Sequence, residues 1–564
     1  MKEIGSHRLK FETGKRLVGV VAFVAVYAGM TATVYRQFAG GDVTNVPSVT
    51  VVRGEAPAAR NVDVKDGMFY ADGEPLVVRA VGWDPVRPGE LPWERAFRRD
   101  ELADDLARIK AAGFNTVRTW AALSPEELAL VAEHDLRVLQ GVWVEPDGDF
   151  ADPGFRREAL GRVARSVEAS RWSPAILGYL IMNEPRAQAV ARAGLSETRA
   201  FLRELGATVR GIDPSALIGY ASWPGMEALD DDLLDFVGFN IYPHRPRVVM
   251  DEFGLEGYVG MLDRTVARGR PLIITEYGIS VSPGNIETPG RGGASEDEQA
   301  QGLVRLSSAF YRAGARGTTV FQWGDGWWKG DAADPHEHDP DEPEQWFGLV
   351  AYQDVSDRRG TARAALAAMA GYHRAILIEP RDGQVHDLEA PVRIFADQPV
   401  TARVSVNGAA PEPLSLSREG RRWHKGKLAL PGGGIRADIE IELFGEDGEL
   451  IRSERRLLRT APPRDATLAF GDQTLTARPA QAFSVKVFVS GADAGSSSIS
   501  VATFTEDRFN EDRVSVAVDD DGRARVEFEA PEQHTLLTLL AFEDDPDLPP
   551  AERAAAWAVV EVRD

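Results

Sequence analysis

The sequence predicts an α/β chain: a (β/α)8 barrel preceded by one transmembrane helix and followed by two β-sandwich domains. Three observations carry this reading. Residues 17–35 form a charge-free apolar segment. Between 61 and 376, eight short apolar runs alternate with amphipathic stretches. Beyond about 377 the hydrophobic period drops to two. The chain has 564 residues, 43% hydrophobic and 27% charged. That is ordinary globular usage; it excludes wholesale disorder and leaves ample chain for several cores.

The apolar segment reads LVGVVAFVAVYAGMTATVY. As a helix it is about 28 Å long, close to the ~30 Å hydrocarbon thickness of a bilayer. Lys2, Arg8, Lys10, Lys15 and Arg16 precede it, and only Arg36 follows closely. The positive-inside bias therefore predicts a cytoplasmic N-terminus over 1–16, a signal-anchor over 17–35 and an extracytoplasmic remainder. No clear A-x-A site follows and the run is longer than a typical signal-peptide core, which favours an uncleaved anchor over a cleaved leader. Residues 36–60 are short on large apolar side chains and read as a stalk.

The eight runs of the barrel region, 61–376, are 76–82, 115–120, 137–144, 177–183, 217–221, 236–241, 272–276 and 318–323. They recur about every 35 residues, within the range of a TIM barrel of ~250 or more residues. They are apolar throughout rather than alternating, as strands covered on both faces are. Helix signals lie between them. In SPEE, Ser124 is an N-cap, Pro125 sits at N1 and Glu127 closes a capping box. Gly113 ends the helical stretch ELADDLARIKAAG.

Past 377 the runs VRIFA, ARVSV, DIEIELF, FSVKVFV, SISVATF, RVSVAV, ARVEFE and AVVEV are strand-like. Asp447-Gly448 and Asp521-Gly522 read as hairpin turns. Their spacing predicts two sandwiches, 377–462 and 463–564, joined near Ala461-Pro462-Pro463. They contain only two tryptophans, Trp423 and Trp557, and no catalytic cluster. They are expected to position the barrel rather than to bind polymer, and loss of 463–564 is expected to leave small-substrate turnover nearly intact.

Composition also excludes. With 64 basic against 87 acidic residues the net charge is −23, which repels phosphate backbones, so nucleic acid is not an expected partner. Cys is absent, which removes disulfides, thiolate metal sites and a cysteine nucleophile. There is no G-x-S-x-G elbow, and no G-x-G-x-x-G loop between a strand and a helix. His336, Glu337, His338 and Asp339 lack the helical His-x₃-His spacing and read as a solvated loop rimming the cleft. No cofactor and no metal are expected.

Active groups of such barrels sit at the C-terminal ends of strands. Run four ends in Met182-Asn183-Glu184-Pro185 and run seven in Thr275-Glu276-Tyr277-Gly278. Two carboxylates thus emerge on one face. That is what glycoside hydrolysis needs: one attacks the anomeric carbon, the other protonates the leaving oxygen. Each residue also has a structural reading. Asn183-Glu184 could cap a helix, and Glu276 could pair with a buried arginine. The two together, each ending an apolar run at barrel spacing, favour the chemical one.

The segments GFNTVRTW, RWSPAILGYLIMNEP, DFVGFNIYP and PLIITEYG, in that order, resemble the clan A glycoside hydrolases. The likeness covers the barrel and is nearest to families 2 and 5 and the family 72 glucanosyltransferases. It implies that Glu184 is the general acid/base and Glu276 the nucleophile. It implies that Asn183 meets the sugar 2-hydroxyl, that Arg118 and Tyr242 hold the nucleophile, and that Trp323 is the strand-eight sugar platform. Trp83, Trp143, Trp223, Trp327 and Trp328 also fall near strand ends, and Trp83 and Trp143, with His244 beside Tyr242, are further candidate sugar contacts. Run three ends in Trp143-Val144-Glu145-Pro146, where several relatives carry a histidine or other polar residues. The expected function is a retaining β-glycoside hydrolase acting on a β-linked poly- or oligosaccharide at the cell surface. A transglycosylase using the same site, or a non-catalytic carbohydrate-binding envelope protein, are the alternatives.

Overall fold

The computed structural model describes residues 61–564 apart from 231–232, 285–291, 331–333, 433–434, 462–464, 492–497, 507–510 and 546. The signal-anchor and stalk expectations for 17–60 lie outside the described residues. Among the described residues, no helix is long and apolar enough to cross a membrane.

After a three-stranded meander over Val62–Leu76, eight parallel strands close into a barrel. They are β1 (Val78–Gly82), β2 (Thr116–Arg118), β3 (Arg137–Gly141), β4 (Ile176–Asn183), β5 (Ile218–Ser222), β6 (Val237–Asn240), β7 (Leu272–Tyr277) and β8 (Gly317–Val320). Each pairs with its neighbours in sequence, and β8 closes on β1 through Gly317↔Val78 and Val320↔Val81. β1, β2, β5, β6, β7 and β8 are buried over their whole length, which is why the runs lack polar alternation.

The helices are α1 (Arg99–Ala111), α2 (Pro125–Glu133), α3 (Pro153–Ser170), α4 (Ala187–Ala193), α5 (Leu195–Ile212), α6 (Arg247–Glu252), α7 (Leu255–Met261), α8 (Glu296–Ala313) and α9 (Ala364–His373). The capping box of α2 forms as its sequence dictates: the Glu127 N–H donates to Ser124 Oγ at 3.2 Å, and the Ser124 N–H to Glu127 Oε2 at 2.8 Å. Gly113, at φ +79°, follows α1 in the left-handed conformation its position requires.

The helical ring has one interruption. Among the described residues, only a 3-10 turn at Glu227–Leu229 lies between β5 and β6. The C-terminal sandwich covers this place. Thr538 Oγ1 donates to the Gly225 carbonyl at 3.1 Å and to Glu227 Oε2 at 3.3 Å. Phe253 and Phe542 stack at 5.0 Å. Phe504, Leu536, Leu540, Phe542 and Trp557 belong to the same continuous core as the barrel.

The remaining sheets form two sandwiches. The first packs the sheet of Ile376–Glu379, Glu389–Phe395, Trp423–Ala429 and Ser417–Glu419 against that of Glu412–Leu414, Val400–Val406, Arg436–Gly445 and Leu450–Arg459. The second packs a sheet of three strands against one of five. Asp447-Gly448 turns between paired strands as expected. Asp521-Gly522 does not: Asp512–Ala517 and Arg523–Glu529 lie in different sheets, so this turn carries the chain from one layer to the other. Both sandwich tryptophans are buried against the barrel region. Trp423 Nε1 donates to the Pro75 carbonyl at 2.9 Å and Trp557 Nε1 to Thr265 Oγ1 at 3.2 Å.

Candidate active site

The site lies at the C-terminal ends of the strands. Arg118, the last residue of β2, is 1% exposed and holds two partners. Nη1 donates to Glu276 Oε1 and Nη2 to Asn183 Oδ1, each at 2.5 Å. Glu276 receives two more hydrogen bonds, from Trp120 Nε1 to Oε1 at 2.8 Å and from the Tyr242 hydroxyl to Oε2 at 3.2 Å. An ionised carboxylate is acceptor-only, and every partner here is a donor. Burial, and then the charge of Glu276, push the Tyr242 hydroxyl well above its ordinary pKa, so it stays a donor.

Glu184 begins the loop after β4. Its φ is +46°, a left-handed conformation uncommon for a residue with a side chain, and its N–H is tied to the Ala221 carbonyl at 2.8 Å. Its Oε1 accepts from Asn240 Nδ2 at 2.7 Å. Asn240 is fixed in turn by Thr275, whose hydroxyl donates to Asn240 Oδ1 at 2.7 Å. Burial, and then repulsion from Glu276, raise the Glu184 pKa to about 7; Arg186, the Asn240 hydrogen bond and Arg118 oppose the rise. The two glutamates therefore have opposed environments, one suited to keeping a proton and one gripped by donors.

The sequence-derived candidates divide. Glu184, Glu276, Asn183, Arg118 and Tyr242 come together as one hydrogen-bonded group. His244 stands beside Tyr242, the rings 5.7 Å apart. Trp143 is buried beyond β3. Trp83 and Trp323 are elsewhere: they are 0% and 1% exposed and face α1, not the pocket. Trp83 Nε1 donates to Asp105 at 3.2 Å, and the Arg108 guanidinium lies 5.2 Å from the Trp323 ring. The expectation for Trp323 fails because β8 ends at Val320, earlier than the apolar run suggests. Phe321, the first residue past β8, instead stands edge-on to Trp120 (5.5 Å), Tyr242 (6.3 Å) and Phe347 (5.1 Å).

Trp120, Asn240 and Phe321 were missed, although all three stand inside or beside the runs named from sequence. Trp120 has room because β1 ends in glycine: a Cβ on Gly82 would lie 2.5 Å from the Trp120 ring. Lys329 is a further missed residue, its ammonium 4.8 Å from the Phe321 ring and 5.3 Å from that of Trp120. Asp84, past β1, and Glu145, past β3, are carboxyls raised by burial, Glu145 to about 7. Outside this group, Trp223 Nε1 donates to the Pro185 carbonyl at 3.4 Å, and Trp328 underlies Lys329.

The histidine-rich loop has a packing role. His338 stacks between Trp346 at 3.5 Å and Trp327 at 4.9 Å, and burial lowers its pKa to about 4. Among the described residues, no group of three or more His, Cys, Asp or Glu side chains is placed to hold a metal ion.

No family model matches the chain. Its barrel resembles those of clan A glycoside hydrolases. Over 227 residues, 39% of the chain, it is 23% identical to a β-galactosidase of Vibrio cholerae and 26% identical to β-galactosidase 2 of Enterobacter cloacae. The match spans 20% of the length of each of these relatives. Among solved structures it is similar to β-glucuronidase 3 of Bacteroides uniformis, with 17% identity, a TM-score of 0.44, and 89% of this chain against 64% of that one covered. It is also similar to the family 2 β-galacturonidase of Eisenbergiella tayi, with 21% identity, a TM-score of 0.44, and 56% against 54% covered.

Proposed function

We propose that the chain is a retaining β-glycoside hydrolase acting on a β-linked saccharide outside the cytoplasmic membrane. The observation that carries the chemistry is the pairing of a buried Glu184, its pKa raised to about 7, with a Glu276 held by Arg118, Trp120 and Tyr242. The extracytoplasmic placement rests on the basic residues before the 17–35 segment.

In the first step Glu276 attacks the anomeric carbon as the bond to the leaving oxygen breaks, and Glu184 gives that oxygen its proton. The product is a glycosyl ester on Glu276. Burial, and then the charge of Glu276, raised the Glu184 pKa; esterification removes the second of these, so Glu184, now a carboxylate, is ready to take a proton from water as the water attacks the anomeric carbon. A sugar hydroxyl in place of water gives transglycosylation. Asn183 Oδ1 is committed to Arg118, which turns its amide NH₂ toward the role of a donor to the sugar 2-hydroxyl. Phe321 and Trp120 supply aromatic faces for sugar C–H surfaces.

The test is turnover of aryl β-D-galactoside, β-D-glucuronide, β-D-glucoside and β-D-mannoside by the wild-type protein, with E184Q and E276Q as controls and NMR of the first-formed anomer. Retention of configuration and loss of turnover in both variants are expected. An inverted product, or full activity in E276Q, overturns the reading.

A further inference from the structure

The segment that follows the acid/base carboxyl is clamped from three sides. The Pro185 carbonyl accepts from Trp223 Nε1, and the Arg186 N–H donates to the Pro146 carbonyl at 2.9 Å. The Arg186 guanidinium lies 5.0 Å from the Trp223 ring and 3.5 Å from Glu506 Oε1. The other oxygen of Glu506 accepts from the Ala187 N–H, the first of α4. Glu506 belongs to the C-terminal sandwich, just beyond its strand Ser498–Phe504, and its side chain is only 9% exposed. A carboxylate 319 residues away in sequence thus closes the turn that carries Glu184.

Two related contacts show what is particular to it. Glu561 accepts from the Leu195 N–H at 3.0 Å and Glu511 from the Val248 N–H at 2.7 Å, so three sandwich glutamates cap the first turns of α4, α5 and α6. Of the three, only Glu506 touches a charge that acts on Glu184. The groups acting on Glu184 include Glu276 from β7, Arg118 from β2, Asn240 from β6, Tyr242 beyond β6, and Arg186 on its own segment, and Arg186 also acts on Glu145 beyond β3. Arg186 is the one that the sandwich reaches.

Resting on the glycosidase reading above, we propose that Glu506 is a positioning residue for the acid/base carboxyl: it fixes Arg186 and the 185–187 turn, and so makes the C-terminal sandwich part of the catalytic apparatus. A left-handed residue such as Glu184 persists only where its surroundings over-determine it, and Glu506 supplies one of those restraints. Its negative charge also offsets the field of Arg186 at Glu184. Removing that charge leaves Arg186 freer to stabilise the ionised acid.

The test uses the full-length chain. E506Q keeps an oxygen for the Ala187 N–H and removes only the charge. The basic limb of kcat/KM for an aryl β-glycoside is expected to move to lower pH by about half a unit to one unit, the scale of one nearby partly screened charge. R186Q is expected to move it the opposite way, and E561Q to leave it in place. Carbon-labelled glutamate read by infrared titration, with E184Q to assign the band, reports the same displacement without turnover. An unmoved band and limb in folded E506Q, or an equal displacement in E561Q, overturns the inference. A displaced band in a protein that turns over no glycoside supports it while overturning the functional reading.

Discussion

The indole N–H of Trp120 and the guanidinium of Arg118 donate to the same oxygen of Glu276, at 2.8 and 2.5 Å. The two side chains also touch, the guanidinium carbon 4.0 Å from the Trp120 ring. One oxygen of Glu276 is therefore held on two sides, and the other is held by Tyr242. Trp120→Phe keeps the ring and deletes one donor. A hydrogen bond to a charged group contributes about 1.5–3 kcal/mol, so kcat/KM should fall roughly 10- to 100-fold while the melting temperature stays near wild type. An unchanged kcat/KM would show that Trp120 only packs.

The pH dependence follows from Glu184. On the proposed reading Glu184 serves as acid only when protonated, so kcat/KM should decline as pH rises through about 7. Asn240 stabilises the ionised form, and Asn240→Leu should move that limb upward. A pH–rate profile over about 5–9 reads both.

The same group sets a stability trend. Its folded pKa lies above the ordinary glutamate value, so the folded state binds the proton more tightly. Stability from this site is fully present below the unfolded pKa and is lost as pH rises toward 7. At pH 8, E184Q should be more stable than wild type by about 3 kcal/mol, and at pH 4 the two should agree. Urea titration at both pH values checks it; an equal difference at pH 4 would count against the sign.

Phe321 and Trp323 should behave differently. Phe321→Ala removes a buried ring packed on Trp120, Tyr242 and Phe347, and should raise KM as well as cost about 3–5 kcal/mol of stability. Trp323→Ala empties a fully buried site against α1 and should cost about 3–5 kcal/mol. Thermal melts and substrate saturation curves of the two variants separate the roles.

Truncation after residue 462 should not yield a working barrel. Sequence alone suggested an independent C-terminal domain, but Phe504, Leu536, Leu540, Phe542 and Trp557 lie in the barrel's own core. The truncated chain should be aggregated, or should lack a cooperative melt by circular dichroism. A soluble truncation melting at the wild-type temperature would refute this.

What could be read in advance depended on whether a feature is local or spatial. The eight strands announce themselves because strands buried on both faces are continuous apolar runs, and Glu184 and Glu276 follow from their places at the ends of β4 and β7. Arg118 and Tyr242 also stand at or just past strand ends. Trp323 misled because GTTVFQW is apolar past the point where β8 stops, and an apolar run does not mark the last paired residue. Asn240 was invisible for the opposite reason: it is one polar residue inside an apolar run, and its partners Thr275 and Glu184 come from other segments of the chain. The hold of the sandwich on α4, α5 and α6 comes from three glutamates among the many acidic residues of that region, and no local pattern distinguishes them.

The interruption after β5 bears on how the chain is made. Glu227 and Thr538 meet across 311 residues. A ribosome emitting this chain finishes all eight barrel strands long before it releases the wall that completes them. Until then the nascent barrel carries an apolar gap beside β5, open to chaperones and to neighbouring chains. Contacts of such separation slow folding, because loop entropy is spent before they form. The covering of β5 is thus timed by the sandwich, and any event that delays the sandwich prolongs exposure of the barrel's outer face there.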